Sequence, residues 1–419
     1  MQLDQPRPTR LLRWLAAASL IVCAAAVVSG GATARPQAAS ARVSIVPVAA
    51  SRVGRAVRVR VGIQGWRSGL RWRIYVDGRY NNYSTDPKSG LAVAVSPGRH
   101  RISVDVVAGS TRVGRGARTL TATVAAAGGP VVAAAGDIAC DPADPEFAGG
   151  RGEPDRCQQA ATARIVEMAH PSAVLPVGDT QYQCGGNAAF SRSYAPTWGR
   201  FRAISHPVPG NADYGEDKTS RFTPTCSSGS PGASYFGYFG ASAGDPSRGY
   251  YSFDVGNWHL IALNSECQYA GGCGAGSQQE TWLQMDLAAS RGHCTLLYWH
   301  RPRWATTAPF DNASLGAFWS DAYQAKADVV VSGHAHLYAR FAPLDISGKA
   351  DSVGPAQFIV GTGGRDVPHV TAFRPTVRAA HSGQFGILLL TLHARSYEWQ
   401  FLPTEGGTYT EHGSAACHS

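Results

Sequence analysis

The sequence predicts a small all-β domain followed by a larger layered α/β domain. Three observations carry this expectation. Residues 43–124 contain short runs of apolar–polar alternation separated by turn signals. From Val131 onward, apolar runs of strand length are interleaved with stretches of helical period. Five of those later runs stop beside a side chain able to bind a metal ion.

A chain of 419 residues has room for two or three domains, each with its own core. A composition 44% hydrophobic and 16% charged is that of a globular protein and excludes a disordered or coiled-coil chain. The formal net charge of +9 leans the surface toward anions such as phosphoesters, anionic polymers or nucleic acid. A solvated Arg-rich surface accounts for that excess without any partner, and nucleic acid is not expected as one.

Arg7, Arg10 and Arg13 precede the apolar run Trp14–Val28, which leads into small residues and Ala32-Thr33-Ala34. This is the layout of a secretory signal peptide, assigned to residues 1–41, with an uncleaved anchor as the competing reading. A second site, Ala39-Ser40-Ala41, leaves the cleavage point open. Cys23 follows Val22 rather than a small residue, which argues against lipid attachment. The run is short for a bilayer and no later segment is longer, so the expectation is a secreted protein with no stable membrane insertion after cleavage. Eight further cysteines form an even set in an exported chain and point to as many as four disulfides. Cys140–Cys157 and Cys267–Cys273 are the local pairs expected, and no C-x-x-C spacing supports a thiolate metal site.

In the first domain, residues 42–126, Val57, Val59, Val61 and Ile63 alternate with Arg58, Arg60 and Gly62. Leu70, Trp72, Ile74 and Val76 repeat the period, and Asp77-Gly78 is a hairpin turn. Leu91, Val93 and Val95 lead through Ser96-Pro97-Gly98 to Ile102, Val104 and Val106. The pattern fits a small immunoglobulin-like or fibronectin-like β-sandwich without chemistry of its own. Ala125–Pro130 reads as a hinge into the second domain, residues 127–403. There, Asp155 is placed to cap a helix running to Ala169, with Ile165 and Met168 inward. Tyr251, Phe253 and Val255 turn through Gly256-Asn257 into Trp258–Leu263, a second hairpin. Ser277-x-x-Glu280 is a capping box ahead of Trp282, Leu283 and Leu287, and another helix is expected from Ser314 toward Ala327, carrying Leu315, Phe318 and Trp319. Phe358–Val360, Ile387–Leu392 and Tyr397–Phe401 read as late strands, and residues 404–419 as a polar tail that Cys417 can staple down.

The chemistry sits at strand ends. AVLPVG delivers Asp179 and Tyr182, VVAAAG delivers Asp137, HPVPG delivers Asn211, TLLYW delivers His300, and VVVSG delivers His334 and His336. Singly, each has an ordinary reading: an Asp after a strand makes turns, an Asn after Pro-Gly bonds its own loop, and a strand-end His packs in a core. Function in open α/β sheets collects outside the carboxyl ends of strands, so five such ends are expected to converge on one site. His334-x-His336 is the sharpest signal, since alternation aims two imidazoles the same way.

The ordered set Gly-Asp, Gly-Asp-x-x-Tyr, Gly-Asn, strand-end His and Gly-His-x-His resembles the metallophosphoesterase (calcineurin-like) superfamily, in its purple acid phosphatase branch, over residues 131–402. The resemblance implies a layered α/β metallophosphoesterase sandwich, with the leading β domain similar to that of larger purple acid phosphatases. It also implies a pair of metal ions. Asp137, Asp179, Tyr182 and His336 would hold one; Asp179, Asn211, His300 and His334 would hold the other, with Asp179 bridging. A phenolate set suits Fe(III), and the Asn and imidazole set suits Zn, Mn or Fe(II). Ala139 stands where many superfamily members have a further His, in keeping with Tyr182 as the ligand. The implied reaction is hydrolysis of a small phosphomonoester by a metal-bridging hydroxide, with Asp179, Asn211, His300 and Arg301 at the reacting centre.

The chain departs from the family pattern at two positions that matter. Ala212 replaces the His that usually follows Gly-Asn, and loss of such a group commonly removes ~10²–10⁴ in rate. Arg301 replaces a second strand-end His and offers a bidentate grip on phosphate without a proton to give. Ala335 and Ala339 stand where acidic residues are frequent. Asp213, Tyr214, His206 and His381 are the candidate replacement acids. The alternative to an enzyme is a non-catalytic, metal-retaining binder of phosphate or an anionic surface polymer; a nuclease draws only on the net charge. Nothing in the sequence speaks to oligomeric state.

Overall fold

The structure, a computed structural model, describes residues 42–47, 56–64, 66, 68–84, 90–94, 98–122, 129–217, 222, 224, 226 and 229–418. The expected signal segment and most of the expected hinge lie outside the described residues.

Among the described residues, seven strands come first: β1 (Arg42–Pro47), β2 (Ala56–Gln64), β3 (Leu70–Val76), β4 (Arg79–Ser84), β5 (Gly90–Ala94), β6 (Gly98–Ala108) and β7 (Thr111–Ala122). They form two sheets, β1-β2-β5 and β4-β3-β6-β7, in which every pair is antiparallel. Leu70, Trp72, Ile74, Ile102, Val104 and Val106 are buried, as the period of two requires. Asp77 and Gly78 close the β3–β4 hairpin with φ of 50° and 81°, the left-handed pair that a two-residue turn needs. The side chains at 57–63 and 91–95 lie outside the described residues.

The α/β part has twelve strands: β8 (Val131–Ala135), β9 (Ala173–Pro176), β10 (Tyr251–Val255), β11 (Trp258–Ala262), β12 (Cys294–Tyr298), β13 (Val329–Ser332), β14 (Tyr338–Pro343), β15 (Ala356–Val360), β16 (Val377–His381), β17 (Gly386–Leu392), β18 (Ser396–Pro403) and β19 (Glu411–Ala416). A seven-stranded sheet runs β10-β11-β12-β13-β15-β14-β16, with β11, β12, β13 and β15 mutually parallel. A five-stranded sheet runs β19-β18-β17-β8-β9, where β8 and β9 are parallel. Alternate residues explain the layering. Leu296, Tyr298, Val329 and Val331 share one core with Val132, Ala134, Leu388 and Leu390 of the other sheet. Leu297, Trp299 and Val330 face the opposite way, onto Leu283, Leu287, Phe318 and Trp319 of the covering helices. Strands buried on both faces read as near-continuous apolar runs, which is how β8, β9, β12 and β13 look in sequence, broken only by Thr295 and Ser332.

The helix Gln159–Ala169 starts later than expected, with Gln158 at its cap and no side-chain cap bond. Asp155 is therefore not the cap. Cys157 N and Gln158 N are committed to the carbonyls of Arg365 and Gly364 at 3.1 and 2.8 Å, which keeps that stretch out of the helix. Ser277 does cap Gln278–Ala289, accepting from Glu280 N at 3.2 Å, but the Glu280 carboxylate accepts from Gly276 N instead of closing the box. The helix expected over 314–327 is confined to Gly316–Gln324, since the chain reverses at Lys326 with φ of 56°.

Among the described residues, four disulfides are formed: Cys140–Cys157, Cys184–Cys226, Cys267–Cys273 and Cys294–Cys417. The last ties the chain end to the start of β12. Within 404–419, β19 extends the five-stranded sheet, and Glu411 at its start accepts from Tyr338 OH, Arg340 Nε and Trp399 Nε1 at 2.6, 3.0 and 2.8 Å. No helix among the described residues is long and apolar enough to cross a membrane.

Candidate metal centre

The two sheets meet at the carboxyl ends of their parallel strands. Gly136, after β8, donates to Val360 O at the end of β15, and Asp137 N donates to Gly178 O after β9. Gly333, after β13, donates to His300 O after β12. Loops from both sheets are thus laced together by their own backbone. Asp137, Asp179 and His334 all adopt left-handed φ, at 59°, 48° and 66°. Each such non-glycine residue costs on the order of 1–3 kcal/mol and persists only where its surroundings hold it. Here the holding is visible: His334 N donates to Asp137 Oδ2, and Ala212 N to Asp179 Oδ1, both at 2.8 Å.

The expected residues fall into two touching groups. Tyr182 OH donates to Asp137 Oδ1 at 2.8 Å and lies 3.1 Å from His336 Nε2, itself 3.1 Å from Asp137 Oδ1. His300 Nε2 is 3.3 Å from Asp179 Oδ1 and 3.2 Å from His334 Nδ1. Asn211 lies between Gly210 and Ala212, and its Oδ1 is buried with no hydrogen-bond partner. His300 donates Nδ1–H to Val177 O at 3.0 Å, which turns Nε2 toward the centre. Arg301 stands at the rim with Nη1 3.2 Å from His334 Nε2.

The electrostatics are those of carboxylates that attract cations. Burial works against a charged His300, yet the Asp179 carboxylate outweighs it and raises the imidazole to about 9. Asp179, in spite of its burial, is held well below the ordinary carboxylate range by His300. His336 is raised to about 10 against burial by Asp137 and Asp366. His334 goes the other way, to about 3, through desolvation and the positive charges of His300 and Arg301. Burial and the neighbouring Asp137 and Asp179 push the Tyr182 phenol well above its usual value, so a phenolate there requires a cation beside it.

Two residues at this centre carry no signal in the sequence. Asp366, in the loop after β15, bonds His336 Nδ1 and so fixes the ring with Nε2 inward. Glu266, after β11, binds Arg301 Nε at 2.8 Å. Both follow strand ends, the one feature that could have singled them out. The candidate replacement acids each have partners of their own. Asp213 ties loops together, accepting from Thr180 N, Thr180 Oγ1 and Gly210 N. Tyr214 OH accepts from Asn264 Nδ2, His206 stacks on Phe253, and His381 stacks on Tyr409. Ala212 is fully buried, and Ala339 belongs to the apolar core beneath the helices.

These residues fit a cationic cofactor. Donor oxygens and nitrogens of Asp137, Asp179 and His300 lie within 4.8 Å of one another, buried, and the Asn211 oxygen is left without a proton donor. An oxygen and imidazole set of this kind suits hard or borderline cations.

No protein-family model matches the chain. It is similar to purple acid phosphatase 21 of Arabidopsis thaliana, 36% identical over 121 residues, which is 27% of this chain and 26% of that protein. It is also similar to the probable purple acid phosphatase 20 of the same plant, 25% identical over 236 residues, or 51% and 53% of the two chains. The matched segments thus span about a quarter to a half of those relatives. A purple acid phosphatase isolated from yellow lupin (Lupinus luteus) seeds has a similar fold, with a TM-score of 0.50 at 16% identity, covering 90% of this chain and 74% of that one. In sequence over the matched segments, and in fold, this chain is similar to purple acid phosphatases.

Proposed function

We propose that this chain is a secreted, metal-dependent phosphoric ester hydrolase acting on small phosphomonoesters. The observation that carries the reading is the convergence of carboxylate, phenol and imidazole donors, from loops of two sheets, within hydrogen-bond distance of one another. Asp137, Asp179, Tyr182 and His336 would hold one cation, Fe(III); Asp179, Asn211, His300 and His334 would hold Zn, Mn or Fe(II). Bound cations supply Lewis acidity and an activated water for in-line displacement at phosphorus.

The chain's own residues do the rest. Ala212 N anchors the Asp179 carboxylate and Val177 O orients His300, so the centre is held in place before substrate arrives. Arg301 grips the phosphoryl oxygens. Water adds to phosphorus, the ester P–O bond breaks, and the leaving oxygen takes its proton from solvent, because position 212 offers no imidazole. Four disulfides and the signal layout support export. The division at residues 42–126, 127–403 and 404–419, with the leading strands as a β-sandwich, belongs to the same reading.

Buried Ala212 favours a second reading, a protein that keeps the metals and binds phosphate without turning it over. Steady hydrolysis of p-nitrophenyl phosphate, abolished in Asp179→Ala, is expected for the enzyme. Full metal occupancy without turnover, together with activity appearing in Ala212→His, would establish the binder instead.

A further inference from the structure

Glu266 is a buried carboxylate that the scheme above leaves unused. It lies four residues beyond β11, only 1% exposed. Its backbone is fixed on both sides: Glu266 N donates to Asn264 Oδ1 at 3.0 Å, and Tyr269 N donates to Glu266 O at 2.9 Å. Gln279, from the neighbouring helix, accepts from Asn264 N and donates to Asn264 O at 2.8 and 3.0 Å. The Cys267–Cys273 disulfide closes the next turn. A carboxylate mounted this rigidly can set the position of whatever it binds.

What it binds is Arg301. Glu266 Oε1 accepts from Arg301 Nε at 2.8 Å, while Ser265 Oγ accepts from Arg301 N at 3.0 Å. The Nε edge of the guanidinium is therefore turned inward, and Nη1 is turned toward His334 at the centre. A guanidinium has five N–H donors in a rigid plane, so fixing one edge aims the other. The remaining carboxylates that act on its charge are Asp179 and Glu216. The hydrogen bond to Glu266 is what fixes the Nε edge against the pull of those two charges.

We propose that Glu266 is a positioning residue that keeps Arg301 at the rim, with its Nη edge open to the phosphoryl oxygens of a monoester. The inference rests on the phosphoesterase reading and adds to it how this chain grips phosphate. Binding of inorganic phosphate to the metal-loaded, full-length protein, measured by calorimetry, tests it in wild type, Glu266→Gln, Arg301→Ala and the double variant. Arg301→Ala is expected to weaken binding about tenfold, the loss of a charge-assisted contact. Glu266→Gln is expected to approach that loss, and the double variant to bind no more weakly than Arg301→Ala.

An equal effect of Glu266→Gln in both backgrounds, or none in either, overturns the proposal and leaves the phosphoesterase reading standing. A wild-type protein that holds metal but no phosphate overturns both. Arg301→Lys covers the case in which Glu266→Gln does not fold: it keeps the charge but lacks the Nε edge that Glu266 holds, so it is expected to bind phosphate more weakly than wild type. Wild-type affinity in Arg301→Lys overturns the proposal.

Discussion

Gly210→Ala places one methyl group against the carboxylate on which the centre depends. Gly210 is not in the left-handed region, so the substitution carries no backbone strain and acts through contact alone. The new Cβ would lie 2.2 Å from Asp179 Oδ1, 2.5 Å from Asp179 N and 2.8 Å from His300 Cδ2, whereas ordinary contact begins at 3.4 Å. The carboxylate must therefore retreat by 3.4 − 2.2 = 1.2 Å, or the loop must lift by that amount. Asp179 Oδ1 is already held by Ala212 N at 2.8 Å, and the loop is pinned through Gly210 N to Asp213 Oδ2 at 3.0 Å. Neither side yields freely. A displacement of ~1 Å at a reacting centre costs ~10²-fold in rate, and overpacking costs ~1–3 kcal/mol in stability. We expect kcat/KM on p-nitrophenyl phosphate to fall by ~10²-fold, with a lower metal content and an intact fold by circular dichroism. Gly237→Ala is the control, since nothing lies within 4 Å of its new methyl. Wild-type kcat/KM and metal content in Gly210→Ala would refute the reasoning.

Replacing Cys294 and Cys417 together by Ser opens a loop of sequence separation 123, for which chain entropy predicts a loss approaching ~5 kcal/mol; a thermal melt unchanged from wild type would contradict this. Asp366→Asn removes the carboxylate behind His336 and should weaken metal affinity ~10–100-fold, read by competition with a chelator, and wild-type affinity would contradict the role given to it. His259 bonds Asp286 and Asp254 at 2.8 and 2.7 Å; the bond to Asp286 leads in raising its imidazole, with burial opposing and Asp254 adding. A raised folded-state value means the contribution is complete below the unfolded pKa of about 6.5 and is lost as pH rises through the folded one. The stability gap between wild type and His259→Asn should therefore be widest in mild acid and close toward alkaline pH, and a gap independent of pH would contradict the assignment.

Much of the layered architecture was legible because its strands are buried on both faces. VVAAA, AVLP and VVV have nothing polar to interrupt them and stop at or near where the chain leaves the sheet, so the residues brought together at the strand ends could be named in advance. Helix starts were less legible. Ser277 capped as its sequence implies, whereas Asp155 did not, because Cys157 and Gln158 are tied to a loop some two hundred positions away. Glu266 and Asp366 were invisible for a similar reason: each acts on a residue that is distant in sequence, and neither NSE nor GGRD has a distinguishing spacing. The edge strand β19 alternates half-exposed and exposed side chains along EHGSAA and has no apolar face to announce it. Of the disulfides, the separations of 6 and 17 suggested themselves, while 42 and 123 left no local trace.

The central claim is that these strand-end side chains share a pair of cations, and metal stoichiometry with a visible absorption scan on the purified protein tests it most directly. The account predicts two cations per chain and a tyrosinate-to-iron(III) band that disappears in Tyr182→Phe. A wild-type protein that folds and takes up no metal under saturating iron and zinc would contradict it.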